Sequence, residues 1–411
     1  MEFPSHPGTT VEDMWADVYL SVVARAISSC GTVLSGTALV IALQSRGAGG
    51  YAVAAVLIAA VAPPMLLAPL AGRISDRVDS RVILVTVSLV QAATCTLLAY
   101  TGPTVAIVAL VAILACGSAV TNPTLNALLP EMVSRKQLPR ASAIGQTASS
   151  IGMLAAPAVG GLLFGWYGLR LPLLVDAGSY LAITVAALLI RTRRGRAAAG
   201  GRGPRPGLFR DPLLRPVTIM VAAVVTGVSA VNVADVFFIR ETLHGSAMVY
   251  GLLGAVWTGA MLVGAWLLSN REFGDGRLSV ALFGTLAGAC LAVGLAATAT
   301  GVGWMVPLWA IGGICNGAVN VAAMVLVARR TPAEVRGRAY AVFGAVASGA
   351  NAAGYVLGGV LLGVLSARTV IGLAGAAGLA VALTLAIPLW KAATRDRLAP
   401  APAPHPVASV T

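Results

Sequence analysis

The chain has 411 residues, 58% of them hydrophobic and only 10% charged, with a mean hydropathy of +0.87 and a formal net charge of +13. Soluble proteins carry about a quarter charged residues, so this composition excludes a soluble multi-domain enzyme. With 47 glycines, it predicts an all-α, polytopic membrane protein. The positive charge is no nucleic-acid signal: the basic residues recur in short clusters between apolar runs rather than on one face or tail.

Met1–Trp15 holds Glu2, Glu12 and Asp13 but no lysine or arginine, and the apolar run after it is too long for a secretory signal. The first span is therefore expected to be retained. Twelve spans are predicted, at 17–44, 51–71, 82–101, 104–128, 141–167, 171–190, 216–239, 247–269, 278–299, 303–328, 339–365 and 369–390. Most are long enough to cross about 30 Å of hydrocarbon at about 1.5 Å per residue. Between the second and third spans the chain reads G-R-I-S-D-R-V-D-S-R (Gly72–Arg81). Charges so dense cannot sit in hydrocarbon, so the stretch is read as a short polar turn. Arg191–Asp211 contains G-R-A-A-A-G-G-R-G-P-R-P-G, has no hydrophobic period and reads as a flexible basic linker. The expected organisation is a six-helix half at 1–190, a linker at 191–212, a second six-helix half at 213–391, and a disordered tail at 392–411 rich in proline.

The basic residues set the orientation. If both termini are cytoplasmic, 23 of the 28 lysines and arginines fall on the inner side, and only Arg46, Arg170, Arg240 and Arg368 fall outside, with Arg25 inside a span. Such an asymmetry decides the topology. The halves also echo each other: C-G-S-A-V-T-N-P (Cys116–Pro123) in the fourth span answers C-N-G-A-V-N-V-A (Cys315–Ala322) in the tenth. A shift of 198 residues carries Arg140 onto Arg338, Ser150 onto Ser348 and Gly160–Gly161 onto Gly358–Gly359. A duplicated six-helix unit is expected, as in many transporters.

A six-plus-six chain with a basic central loop resembles the major facilitator superfamily. The loop between the second and third spans there follows G-x-L-x-D-R-x-G-R-[RK]. Here Gly72, Asp76, Arg77 and Arg81 match, while Asp79 replaces the second glycine and Ser80 the first of the paired basic residues. Gly72 would permit a tight exit from the second span. The resemblance implies that Asp76, with Arg77 and Arg81, latches one conformation against the N-terminus of the eleventh span, where the helix dipole favours an anion. The fifth span, Gly152–Gly161, resembles the antiporter motif of superfamily exporters, G-x8-G-x3-G-P-x2-G-G, with Ala143 and Ala156 at two of its glycines. Pro157 bends the helix and Gly152, Gly160 and Gly161 admit a close neighbour. Ala24–Ser28, Arg330–Arg338 and Asp176 look like the branch that includes macrolide-efflux proteins and enterobactin exporters. The arginine that many proton antiporters carry in the fourth span is replaced by Ile113.

An ionisable group inside a span is costly and is a functional candidate by default. Arg25, Asp176 and Asp235, with Asn232 one turn before Asp235, are the candidate proton or substrate sites. An aspartate facing the cavity could carry a proton; one at the outer rim would simply be hydrated. Arg240 and Glu241 read as solvated rim charges. Gln91, Gln146, Asn232, Asn316, Asn320 and Asn351 line the cavity or bond between helices. Trp257, Trp266, Trp304 and Trp309 stack a planar substrate or serve packing and the interface. The five cysteines lie in apolar runs without CxxC or a nearby histidine, so they read as packing residues, neither metal ligands nor disulfides.

The resulting expectation is a non-enzymatic exporter of a hydrophobic or amphipathic small molecule (a drug, antibiotic or siderophore-like metabolite) in the inner cell membrane. It would act as a monomer by alternating access, with protons as the coupling ion and the lipid bilayer as its surroundings, and with no cofactor, metal or nucleic acid. No phosphate loop is present to bind ATP. An importer, a membrane sensor and an intramembrane lipid enzyme are the alternatives; against the last, no histidine lies in any predicted span.

Overall fold

The computed structural model describes residues 11–134, 137–190, 192, 211, 214–271, 273–332 and 335–398. Among these residues, twelve helices cross the molecule: α1 (Val11–Ser45), α2 (Gly50–Arg77), α3 (Ser80–Tyr100), α4 (Thr104–Met132), α5 (Leu138–Tyr167), α6 (Arg170–Leu189), α7 (Leu214–Phe237), α8 (Ala247–Ser269), α9 (Asp275–Ala296), α10 (Val302–Arg330), α11 (Arg336–Leu362) and α12 (Ala367–Leu398). A π-turn, Phe238–Thr242, continues α7. All twelve carry a stretch long and apolar enough to cross a membrane. They break where the chain supplies a glycine, proline or capping side chain. Gly47 and Gly168 take positive φ after α1 and α5. Ser246 caps α8 by accepting from the Val249 amide at 3.3 Å.

The duplication is explicit in the packing. Within the first half α1 packs on α5 and α6, α2 on α4, and α3 on α4 and α6. Adding six to each label gives the pairs of the second half: α7 on α11 and α12, α8 on α10, and α9 on α10 and α12. The register agrees too, since α4 begins at Thr104 and α10 at Val302, while α5 begins at Leu138 and α11 at Arg336, each pair 198 residues apart. The halves meet through α2 on α11 and α5 on α8, which exchange under the same operation. Large apolar side chains such as Leu66, Val105 and Leu189 stay exposed on the outside, where lipid tails would cover them.

Three expectations change. First, Gly72–Arg81 is not a turn: α2 stays helical through Arg77, and only Val78 and Asp79 separate it from α3. Apolar runs mark where hydrocarbon ends, not where a helix ends, and R-I-S-D-R lacks any strong helix breaker. Gly72 is therefore a helical residue with open space around it, not a tight exit. Asp79 opens α3 as its N-cap, accepting from the Arg81 amide at 2.8 Å. Second, α12 runs past 391 to Leu398, through the helix-favouring A-A-T-R-D-R-L. Third, Arg240 is only partly solvated: the residue is half-buried, and its Nε and Nη1 are buried without a hydrogen-bond partner, beside the Gln44–Glu241 contact between the halves. The linker other than Thr192 and Asp211, and the tail from 399, lie outside the described residues.

Candidate functional site

Arg46, Arg170, Arg240 and Arg368 share one end of the bundle, and three of them bind there. Arg46 donates to Gly102 O, Arg170 lies over the Tyr100 ring, and Arg368 donates to Ala297 O and Ala299 O. This is the arginine-poor end. Glycine lets the halves touch there backbone to backbone. A Cβ on Gly161 would lie 2.5 Å from Ala247 O, and one on Gly251 would strike Pro157 O. A Cβ on Gly50 would lie 2.7 Å from Leu362, and one on Gly359 2.7 Å from Ala54. Gln44 Nε2 donates across the seam to Glu241 Oε1 at 2.9 Å. Among the described residues, the glycine contacts between the halves all lie from mid-bundle to this end.

The antiporter-like stretch is thus a packing surface on two sides. Gly152 and Gly160 seat α5 on α1 at Ala26 and Leu34. Pro157 and Gly161 seat it on α8 of the other half, with Gly254 opposite the Pro157 ring.

Beyond the seal lies a cavity of ≈ 600 Å³ between the halves. Arg25, Asp176, Asn232 and Asp235 all line it, so four candidates from three helices are brought together. Asp176 on α6 is 1% exposed, which places it well inside the rim. Its Oδ2 accepts from Ser35 Oγ at 2.7 Å and faces Cys95 Sγ at 3.7 Å, and Ser179 Oγ lies 3.0 Å from Oδ1. Gly31 leaves room for the cluster, since a Cβ there would lie 2.5 Å from Asp176 Oδ1. Asp235 on α7 is half-buried, with Tyr250 Oη 3.4 Å from its Oδ1. Among the described residues, no arginine or lysine side chain pairs with either aspartate. Arg25 donates to Asn126 Oδ1 on α4. It also borders a small cavity of ≈ 160 Å³ with Gln146 in its wall.

A third cavity, of ≈ 320 Å³, lies beside Asp235, walled mainly by the second half and closed by Val33, Thr37 and Pro157 of the first. Trp257 and Trp309 meet in its wall edge to face, with centroids 5.9 Å apart. Trp266 and Trp304 are exposed on the outside, which is the interfacial reading. Gln91 bonds Leu114 O at 3.0 Å and Ser118 Oγ at 3.1 Å, joining α3 to α4, and also lines the main cavity. Asn351 accepts from Ser229 Oγ at 2.5 Å, and Asn320 bonds Asn316 within α10.

The expected latch is not assembled as read. The Asp76 side chain lies outside the described residues. Arg77 is exposed. Arg81 turns away from α11: its Nε donates to Ala187 O at 3.0 Å, and its Nη2 to Ile190 O at 3.0 Å and to Leu188 O. It therefore closes the carbonyl end of α6 in its own half, because those carbonyls have no partners within the helix. Ser35, Ser179, Tyr250 and Gln44 were not anticipated. Cys95, read as a packing residue, also points its thiol at Asp176.

Comparison with known proteins decides the family. The sequence profile described as Major Facilitator Superfamily matches residues 22–311 and 268–410. The chain belongs to the Major Facilitator Superfamily. As a superfamily transporter it is a multi-pass membrane protein with twelve spanning helices. It is 26% identical over 349 residues to the uncharacterized MFS-type transporter y4rN of Sinorhizobium fredii, covering 80% of this chain and 84% of that one. It is 26% identical over 189 residues to macrolide efflux protein A of Streptococcus pyogenes, covering 43% of this chain and 44% of that protein. Among solved structures, the POT family transporter PepTSo superposes with a TM-score of 0.74 at 11% identity, over 93% of this chain and 99% of that one. A bacterial homologue of the iron transporter ferroportin, in an inward-facing state, gives 0.73 at 16% identity, over 93% and 99%. The nucleoside transporter NupG gives 0.70 at 15%, over 90% and 98%. At these identities the likeness concerns the fold.

Proposed function

We propose that this superfamily member exports a hydrophobic or amphipathic small molecule by alternating access in exchange for protons. The arginine-rich end and both termini would face the cytoplasm across the inner cell membrane. The single observation that carries the reading is the cavity between the halves, with Arg25, Asp176 and Asp235 in largely apolar walls, sealed at one end by glycine contacts. A sealed arginine-poor end corresponds to an inward-facing state, the state recorded for the bacterial ferroportin homologue. The macrolide efflux relatives support the outward direction. Asp176 and Asp235 are the proposed proton carriers, because each is a carboxyl without a basic partner at a solvent-reachable cavity, a setting in which ionisation responds to access. Gly72, Asp76 and Arg77 at the end of α2 would engage α11 only when the halves close at the arginine-rich end.

The test is uptake of a radiolabelled macrolide into inverted membrane vesicles carrying the overexpressed chain, with and without an inward-acidic proton gradient. Gradient-driven uptake that a protonophore abolishes, and that Asp176→Asn or Asp235→Asn loses, is expected. Uptake that ignores the gradient would overturn proton coupling. Protein-dependent accumulation by intact cells would overturn export.

A further inference from the structure

The cavity beside Asp235 has features that the export reading does not use. It and the main cavity share Val33, Thr37, Asn232, Asp235 and Tyr250 in their walls. Asp235 therefore borders both spaces where they adjoin, and that junction is taken as the mouth of the smaller one. Past that mouth the walls are mainly aromatic and aliphatic, with Trp257, Trp309, Leu253 and Val293, and with the Thr258 hydroxyl among them. The rings are held in place: Trp309 is buried, and Gly312 leaves room for the Trp257 indole, since a Cβ there would lie 2.7 Å from its Cζ3. A rigid aromatic wall behind a carboxylate favours a positive charge twice, by ion pairing and through the ring faces.

The other charges of the cavity leave that preference standing. Asp176 is occupied by Ser35, Ser179 and Cys95 within its own half. Arg25 lies eight residues before Val33 on α1, about 12 Å away along the helix, and is held by Asn126. Among the described residues, the side pocket has no lysine or arginine in its wall.

We infer that this pocket, with Asp235 at its mouth, is the subsite for the cationic end of the transported molecule, which would be a lipophilic cation with an aromatic or aliphatic body. The inference rests on the transport reading and narrows it, because it commits to the sign of the substrate's charge. Neutral hydrophobes would reach the main cavity but would not need Asp235 in order to bind. Anions would meet a carboxylate at the mouth of the aromatic pocket.

The test uses two ions of the same shape and opposite charge, tetraphenylphosphonium and tetraphenylborate, titrated calorimetrically into the purified full-length chain in lipid nanodiscs. Empty nanodiscs supply the partition background. The phosphonium is expected to bind saturably and the borate not. Asp235→Asn and Trp257→Ala should each weaken phosphonium binding by about tenfold, and Asp235→Glu should restore it. Equal binding of the two ions by the unmodified protein would overturn the inference without relying on any variant's folding. So would phosphonium affinity unchanged in a folded Asp235→Asn protein. Phosphonium binding through Asp235 in a chain that moves no solute would leave the subsite standing and sink the transport reading. Gradient-driven efflux by a protein that binds both ions alike would do the reverse.

Discussion

Arg81 shows how a residue's chemistry is decided by what lies opposite it. Its guanidinium presents several donors in a plane and meets the carbonyls of Ala187, Leu188 and Ile190 at the end of α6. Those bonds tie the start of α3 to the end of α6, so Arg81 works as a brace within one half. Arg81→Ala should destabilise the protein by about 1–3 kcal/mol, the range for losing charge-assisted hydrogen bonds, seen as a lower thermal midpoint in detergent. Phosphonium binding at Asp235, on the other half, should survive. An unchanged midpoint would show that the brace contributes nothing. The arginine itself stands out in the sequence, but its partners lie more than a hundred residues downstream, so only the residue could be read and not its role. Asp176 poses the same difficulty. The expense of an in-span carboxyl marks it, and Ser179 lies one turn on along α6, yet Ser35 and Cys95 come from α1 and α3 and carry no local signal.

At the scale of elements, glycine and proline carry the two largest contacts between the halves. Pro157, Gly161, Gly251 and Gly254 bring α5 and α8 together, and Gly50 and Gly359 do the same for α2 and α11. Small residues at helix crossings are the usual means of close approach in membranes. Gly251→Val should push α8 off Pro157, where overpacking costs about 1–3 kcal/mol. The expected outcome is a shift toward the form open at the arginine-poor end. It would be measured as a longer spin-label distance across that end, with slower transport. A distance distribution identical to the unmodified protein would refute this. The glycines of α5 are legible in the sequence as a close-packing surface. Their division between α1 and α8 is not, because it depends on which helix lies on each side.

At the scale of the whole molecule, the seal must break and re-form in each cycle. Gln44 and Glu241 join α1 to the π-turn after α7 across that seal. Cysteines at both positions, bridged by a short bifunctional thiosulfonate, should hold the arginine-poor end shut and stop transport, and a reductant should restore it. Transport that continues through a complete cross-link would show that this end does not open. The helix count, the pairing of the halves and their 198-residue offset were readable from apolar runs, arginine clusters and the recurrence of C-G-S-A in C-N-G-A. Each of these depends only on local composition and order. The G-R-I-S-D-R-V-D-S-R stretch contains the boundary between α2 and α3, but its helical backbone is not legible there because charge density reports solvation, not backbone geometry. The aromatic pocket was equally hidden, since Trp257 and Trp309 are separated by a whole helix in the chain.

The thiol of Cys95 bears on how such proteins are labelled. It is fully buried and faces both Asp176 Oδ2 and Leu173 O, so reagents would leave it alone while the half-buried Cys30, Cys116 and Cys315 could react. A cysteine-free version made with alanine would nonetheless remove one of the donors facing the Asp176 carboxyl. Serine at 95 preserves a donor there, and the two cysteine-free backgrounds should differ in proton coupling before any label is attached.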